Sequence, residues 1–220
     1  MCALALLLVL ALVLPAAAAT VEGTVTLKSP LKKRAQGRKV KAIRYGQPKP
    51  GEYEPAMRDE GLDPSRSVVV YLVGVKGPGE GPFPPPRMIQ QGRQFEPYVL
   101  PVRVGTAVEF PNRDLIYHGV YSDSPAKNFE LPEYPRGQSR SVTFDKPGVV
   151  ELFCAIHTHM NAYILVLENG YFGMPDAERR YRITGVPPGR YVLKAWHPRL
   201  DIPTRTIEVK EPGLTLDLVL

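Results

Sequence analysis

Cys154, His157 and Met160 stand three residues apart and then three again in the run Cys154-Ala-Ile-His157-Thr-His-Met160. Thiolate, imidazole and thioether are donors that select soft or borderline transition metals. An upstream imidazole, His118, follows the run Val108-Glu-Phe-Pro-Asn112 and could close the set from a neighbouring strand. One thiolate and two imidazoles in a near-trigonal arrangement, with a weak thioether contact, form the donor set of a blue-copper electron-transfer centre. The expected cofactor is therefore one copper ion cycling between Cu(I) and Cu(II). Such a site needs Cys154 as the thiolate and both histidines neutral at the bound nitrogen, so affinity should fall in acid.

One short loop cannot surround an ion, so rigid elements must bring the donors together. A strand pattern, Gly148 to Phe153, runs into the loop, and another, Ala162 to Leu167, leaves it. His118 is expected from across a sandwich. No segment keeps a helical period over a dozen residues; short apolar or alternating runs bounded by Gly and Pro recur instead, as all-β domains require. Thr20–Leu27, Ser67–Val75, Met88–Phe95, Tyr98–Val104, Ala107–Phe110, Gly119–Ser122 and Ser139–Phe144 read as strands ahead of the loop. After it come Arg180–Thr184, Arg190–Trp196, Thr204–Val209 and Leu214–Val219. Pro125 to Tyr134 has room for a helical turn. The 24 prolines among 220 residues, about twice the usual share, favour strands joined by stiff loops.

The apolar run Ala3 to Leu14, followed by Pro15 and Ala17-Ala18-Ala19, reads as a secretory leader over residues 1–19, although no Lys or Arg precedes it. The run is short for a membrane span and no later one is longer. A periplasmic or secreted location is expected, with no transmembrane segment. Export leaves Cys154 without a partner for a disulfide, which makes a metal the reason to keep it. The net charge of +6 is concentrated between Lys28 and Arg44, where eight Lys or Arg occur and no Asp or Glu. That segment reads as a solvated loop or as a docking arm for an acidic protein redox partner. A nucleic-acid role would need reading elements beside the basic patch, and an exported protein seldom meets that partner, so none is expected.

The residues also resemble a known family. Asn112-Arg-Asp-Leu-Ile-Tyr-His118, then Phe144-Asp-Lys-Pro-Gly148, then Cys154-x-x-His157-x-x-Met160 are similar to a cupredoxin, with the tight loop spacing of amicyanin and of periplasmic methylamine-utilisation or plastocyanin-like proteins. The resemblance covers about Phe95 to Leu167. It implies a Greek-key β-sandwich in which His118, Cys154 and His157 are equatorial ligands and Met160 is axial. It also implies that the His157 edge passes electrons. Gly119 stands where many members carry Asn, and its backbone N–H is left to serve the Cys154 sulfur. Ile156 stands where many carry Pro, which adds an N–H able to shift the redox potential.

Val21-Glu-Gly-Thr-Val-Thr with Val68-Val-Val-Tyr-Leu, and Tyr181-Arg-Ile-Thr-Gly-Val-Pro-Pro-Gly-Arg-Tyr191-Val-Leu, resemble the two ends of a carboxypeptidase-regulatory-like β-sandwich. The expected organisation is a leader (1–19), a discontinuous Ig-like sandwich (20–76 plus 170–220), a Pro/Gly-rich linker (77–92) and the cupredoxin domain (93–169). Close-lying domain termini make such an insertion feasible.

The leading function is an exported single-electron carrier; the alternative is copper binding for storage or delivery. Cys with two His also suits zinc, though no carboxylate base lies on the Cys154–Met160 loop. A structural role with relic ligands is the blandest reading. With no nucleophile elbow, paired carboxylates or phosphate cradle, the sequence reads as non-enzymatic. His159 is expected to be an exposed loop side chain, or else a competitor of Met160. His197, in Trp196-His-Pro, is expected to be packed or exposed and not a ligand.

Overall fold

A computed structural model describes residues 18–31, 63–77, 79, 86–157 and 159–220. The expected leader up to residue 17, the basic segment beyond Leu31 and part of the expected Pro/Gly-rich linker lie outside the described residues. The chain is all-β and forms β-sandwiches. The first strands are β1 (Ala19–Thr26) and β2 (Val69–Val73), the latter preceded by a single 3-10 turn, Pro64–Ser67. The middle of the chain supplies β3 (Ile89–Gln91), β4 (Gln94–Glu96), β5 (Val99–Arg103), β6 (Thr106–Pro111), β7 (His118–Ser124), β8 (Lys127–Tyr134), β9 (Ser139–Phe144), β10 (Gly148–Cys154) and β11 (Asn161–Leu167). The end supplies β12 (Phe172–Gly173), β13 (Arg180–Val186), β14 (Gly189–Trp196), β15 (Arg205–Val209), β16 (Gly213–Thr215) and β17 (Leu218–Val219).

The middle strands build a five-stranded sheet in the order β5-β11-β10-β7-β8, a β6–β9 pair and a β3–β4 hairpin. Their inward faces share one core that includes Phe95, Phe110, Phe144, Leu152, Ile164 and Cys154. The terminal strands build β13-β1-β16, with β17 also on β1, and β12-β2-β14-β15. A second core lies there, with Val21, Val70, Leu72, Tyr181, Ile183 and Leu193. Strands from both chain ends interleave: Val21 is opposite Ile183, and Leu72 is opposite Leu193. The chain leaves this region after Val73 and returns at Phe172, which pairs with Tyr71, so exit and re-entry are neighbours.

Period-two alternation explains how one strand serves two cores. In β11, Ala162, Ile164 and Val166 face the central core, whereas Leu165 and Leu167 face a third cluster with Val69, Val99 and Phe172. In β2, Val70 and Leu72 point to the terminal core and Val69 to that same third cluster. Strands buried on both faces read as continuous apolar runs, which is why Val68-Val-Val-Tyr-Leu and Ile164-Leu-Val-Leu167 show no polar alternation.

Several expectations are corrected. Pro125–Tyr134 holds no helical turn: Lys127–Tyr134 is β8, paired with β7 from Ser124↔Lys127 to His118↔Tyr134. Alternating Phe129 and Leu131 pack against the core there, and strand pairing outweighs the local turn signal. Met88–Phe95 is a hairpin and not one strand, because Gly92 and Arg93 both take positive φ, 62° and 56°. That is the geometry of a two-residue type I′ turn. Ile89–Gln91 is β3 of that hairpin. Leu214–Val219 divides into two short strands, both parallel to β1.

Candidate metal centre

Cys154 ends β10, and the pairing Cys154↔Val120 sets it beside the start of β7, where His118 sits. His118 thus comes from a neighbouring strand of the same sheet and not from across the sandwich. The Cys154–Met160 loop closes tightly. Cys154 N–H donates to the Met160 carbonyl (3.1 Å) and Met160 N–H donates to the His157 carbonyl (3.0 Å). These two bonds fold the loop back over its own strand and carry His157 toward the sulfur.

Sγ of Cys154 lies 3.6 Å from Nδ1 of His118 and 3.5 Å from Nδ1 of His157. One donor atom from each residue falls within 4.8 Å of the others. The two imidazole rings are 4.8 Å apart, tilted by 55°. His118 and Cys154 are buried and His157 is partly exposed, so the cluster has one edge toward solvent. Met160 is buried on the same loop.

Asp114 settles which nitrogen His118 offers. Its Oδ2 lies 2.8 Å from His118 Nε2, and its carboxylate also accepts from the N–H groups of Gly92 (2.6 Å) and Arg93 (2.8 Å). Burial alone would raise the Asp114 pKa, but these N–H groups and His118 outweigh it and hold the carboxyl below its ordinary value. An ionised carboxylate only accepts, so Nε2 of His118 must carry the hydrogen and Nδ1 is left with its lone pair facing Cys154. Burial lowers the pKa of His118 and outweighs the nearby Asp114 charge. His157 is lowered to about 4, first by burial and then by the charges of His118, His159 and Arg93. Both imidazoles are therefore neutral at pH 7, as metal ligation requires.

Burial pushes the Cys154 thiol up, against backbone N–H groups of Ile156, His157 and Gly119 that hydrogen-bond to the sulfur. The sulfur is thus dry yet surrounded by donors, ready for an anion once a cation displaces its proton. Space at Gly119 is also tight. A Cβ there would lie 3.0 Å from the Leu131 carbonyl oxygen and 3.3 Å from both Ala155 Cβ and Glu133 N.

Asn112 holds the loop that carries Asp114. Its side-chain amide donates to the Ile116 and Tyr134 carbonyls, and its oxygen accepts from Asp114 N–H. Buried Tyr134 accepts from Gln90 and donates to the Phe110 carbonyl, both at 2.6 Å. The sequence reading had not assigned Asp114 a part; the spacing Asn112-x-Asp114-x-x-x-His118 was the signal, since Asn and Asp form side-chain turns and a carboxylate commonly orients a ligand histidine.

His159 is not the exposed side chain expected. It is partly buried with both ring nitrogens shielded, edge-on to His157 at 6.1 Å between ring centres. It does not belong to the donor cluster. His197 is buried, accepts from Arg199 N–H and lies outside the cluster. Glu151 points to the opposite face of β10 from Cys154, where Tyr163 donates to it (2.9 Å).

Comparison with known proteins gives no matching family model and no matching curated protein. Solved structures similar to this chain include a purple cupredoxin from Nitrosopumilus maritimus, at 22% identity and a TM-score of 0.34, covering 37% of this chain and 99% of that one. An amicyanin variant in the Cu(I) state is similar at 23% identity and 0.35, covering 37% and 80%. A Cu-containing nitrite reductase from Thermus scotoductus is similar at 31% identity and 0.37, covering 44% of this chain and 25% of that one. That last neighbour is an enzyme, which corrects the non-enzymatic expectation. These matches span less than half of the chain and do not bear on the carboxypeptidase-regulatory-like resemblance of its ends.

Proposed function

We propose that this chain is a periplasmic or secreted single-electron carrier, with one copper ion held by His118, Cys154 and His157 and, as a weak axial ligand, Met160. The observation that carries the reading is the convergence of two imidazole Nδ1 atoms on one buried sulfur, at 3.6 and 3.5 Å. The donor chemistry fits: one soft sulfur, two neutral nitrogens, and no carboxylate in the cluster. Bound copper supplies a one-electron couple that neither side chains nor backbone possess.

The chain's own residues do the rest. Asp114 fixes the His118 tautomer and ring angle, the Cys154–Met160 closure fixes His157, and the N–H groups around Cys154 stabilise negative charge on sulfur. Strands β7 and β10 are hydrogen-bonded neighbours in one sheet, so the donors hold their places whichever charge the site carries. Low reorganisation is what electron exchange needs. The partly exposed His157 edge offers a short route to a partner. Burial of His118 and Cys154 favours retention over ready surrender, and so the carrier over a delivery protein.

The same reading takes residues 20–76 and 170–220 as one discontinuous, carboxypeptidase-regulatory-like sandwich into which 93–169 is inserted. It is supported by the pairing of β1 with β13 and of β2 with β14.

Loading with Cu(II) tests the function. An intense blue colour is expected, together with its loss in Cys154→Ser and a reversible one-electron wave in voltammetry. A colourless protein that binds zinc and not copper would overturn the reading.

A further inference from the structure

Asp114, whose carboxylate holds His118, lines a cleft of about 780 Å³. Three guanidinium-bearing residues line it from three separate turns: Arg93 on the β3–β4 hairpin, Arg113 on the loop before β7, and Arg136 between β8 and β9. All three are exposed. Arg87, Arg179, Arg180 and Arg182 all pair with carboxylates. None of the three cleft arginines has such a pair among the described residues. The one acid of the lining, Asp114, is already engaged by two backbone N–H groups and by His118.

Leu115 lines the same cleft and is 85% exposed, the most exposed large apolar residue described; Tyr117, two residues on, is 56% exposed. An apolar residue ringed by unpaired positive charge is the pattern of a transient docking surface, in which charge steers encounter and an apolar contact completes it. Arg93 occupies a left-handed position, φ 56°, which Gly, Asn or Asp fill more readily.

We propose that the cleft bounded by Arg93, Arg113 and Arg136, with Leu115 on its lining, is the docking surface for an acidic protein redox partner. Complementary carboxylates would meet the three guanidiniums and an apolar side chain would cover Leu115. Asp114, on the cleft lining, contacts one nitrogen of the His118 ring, and the other nitrogen faces Cys154. The role in electron exchange rests on the copper reading above; the contact itself does not, and the experiment separates them.

In the first arm, a ten-residue glutamate peptide is titrated into the metal-free full chain at low salt, followed by chemical-shift changes. The triple variant Arg93→Gly, Arg113→Gln, Arg136→Gln should bind about tenfold more weakly or worse. Arg93→Gly restores the residue that the turn prefers, so folding is protected. A control triple variant on β14 and β15, Arg190→Gln, Lys194→Gln, Arg205→Gln, should stay within about twofold. Failure of the unaltered chain to bind, or an equal loss in the control, would overturn the surface. A heparin or DNA fragment of matched charge binding more tightly than the peptide would overturn the assignment to an acidic protein.

In the second arm, the reduced copper-loaded chain is oxidised by hexacyanoferrate(III) or by tris(phenanthroline)cobalt(III). One electron passes from copper to iron or cobalt, and no bond forms or breaks. The cleft variant should slow the anionic oxidant about fivefold or more at low ionic strength and leave the cationic one as fast or faster. Equal slowing of both would overturn the cleft as a route of exchange. A chain that takes up no copper would count against the metal centre alone, with the first arm still deciding the surface.

Discussion

The Asp114 carboxylate lies 2.8 Å from Nε2 of His118, on the far side of the ring from the Cys154 sulfur. A buried imidazole has two nitrogens and no water to choose between them. The carboxylate makes the choice, and the choice turns Nδ1 inward. Gly92 and Arg93 in turn fix the carboxylate, so a hairpin turn remote in sequence sets the tautomer of a ligand.

Asp114→Ala should therefore weaken copper binding by about 10- to 100-fold, the ordinary consequence of removing such an orienting group. It should also lower stability by about 1–3 kcal/mol, since Gly92 and Arg93 lose their acceptor. Asp114→Asn keeps one acceptor oxygen and should fall between. Competition with a copper chelator and thermal melts of the metal-free chain measure the two effects apart.

Metal-free stability should decline as the pH falls from 6.5 toward 4. Here the sign follows from His157, whose folded pKa of about 4 lies below its ordinary 6.5. The unfolded chain then binds a proton that the folded chain refuses, so acid favours unfolding. His118 is shifted the same way. A loss on the order of 1–3 kcal/mol across this window is expected from urea titrations, and His157→Gln should flatten the slope. A curve flat from pH 7 to 4 would contradict it.

Gly119→Ala places a methyl 3.0 Å from the Leu131 carbonyl oxygen and close to Ala155 and Glu133. Backbone on two sides cannot yield easily, so β7 must shift against β8. A cost of about 1–3 kcal/mol is expected in denaturant unfolding. The shift should also change the visible spectrum, because Gly119 N–H is one of the donors to the Cys154 sulfur. An unchanged melting point would show that the neighbours can give way.

Ile156→Pro removes an N–H that reaches the same sulfur. Hydrogen bonds to the thiolate offset its negative charge and so favour the reduced site, whose metal carries less positive charge. Voltammetry of the variant should show a potential lower by tens of millivolts, since about 1.4 kcal/mol corresponds to 59 mV for one electron. A rise in potential would contradict this account.

The donor types and their spacing, Cys154, His157 and Met160, were legible in the chain because they lie on one loop between two strands whose apolar patterns are plain. Strand patterning also revealed an all-β protein, and the fold then buried the apolar runs Val68–Leu72 and Ile164–Leu167 on both faces. Period and composition are local properties, and they survive without a fold. Register is not local. That Cys154 sits opposite Val120, placing His118 beside it in one sheet, is a matter of hydrogen-bond pairing between strands more than thirty residues apart. Residues 127–134 became a strand only because β7 offered an edge. Asp114 acquired its place from the turn at Gly92–Arg93, and the cleft arginines met from three loops that share no sequence pattern. Side-chain chemistry could be read one residue at a time; distance, burial and the tautomer of His118 arose only when the strands paired and excluded water.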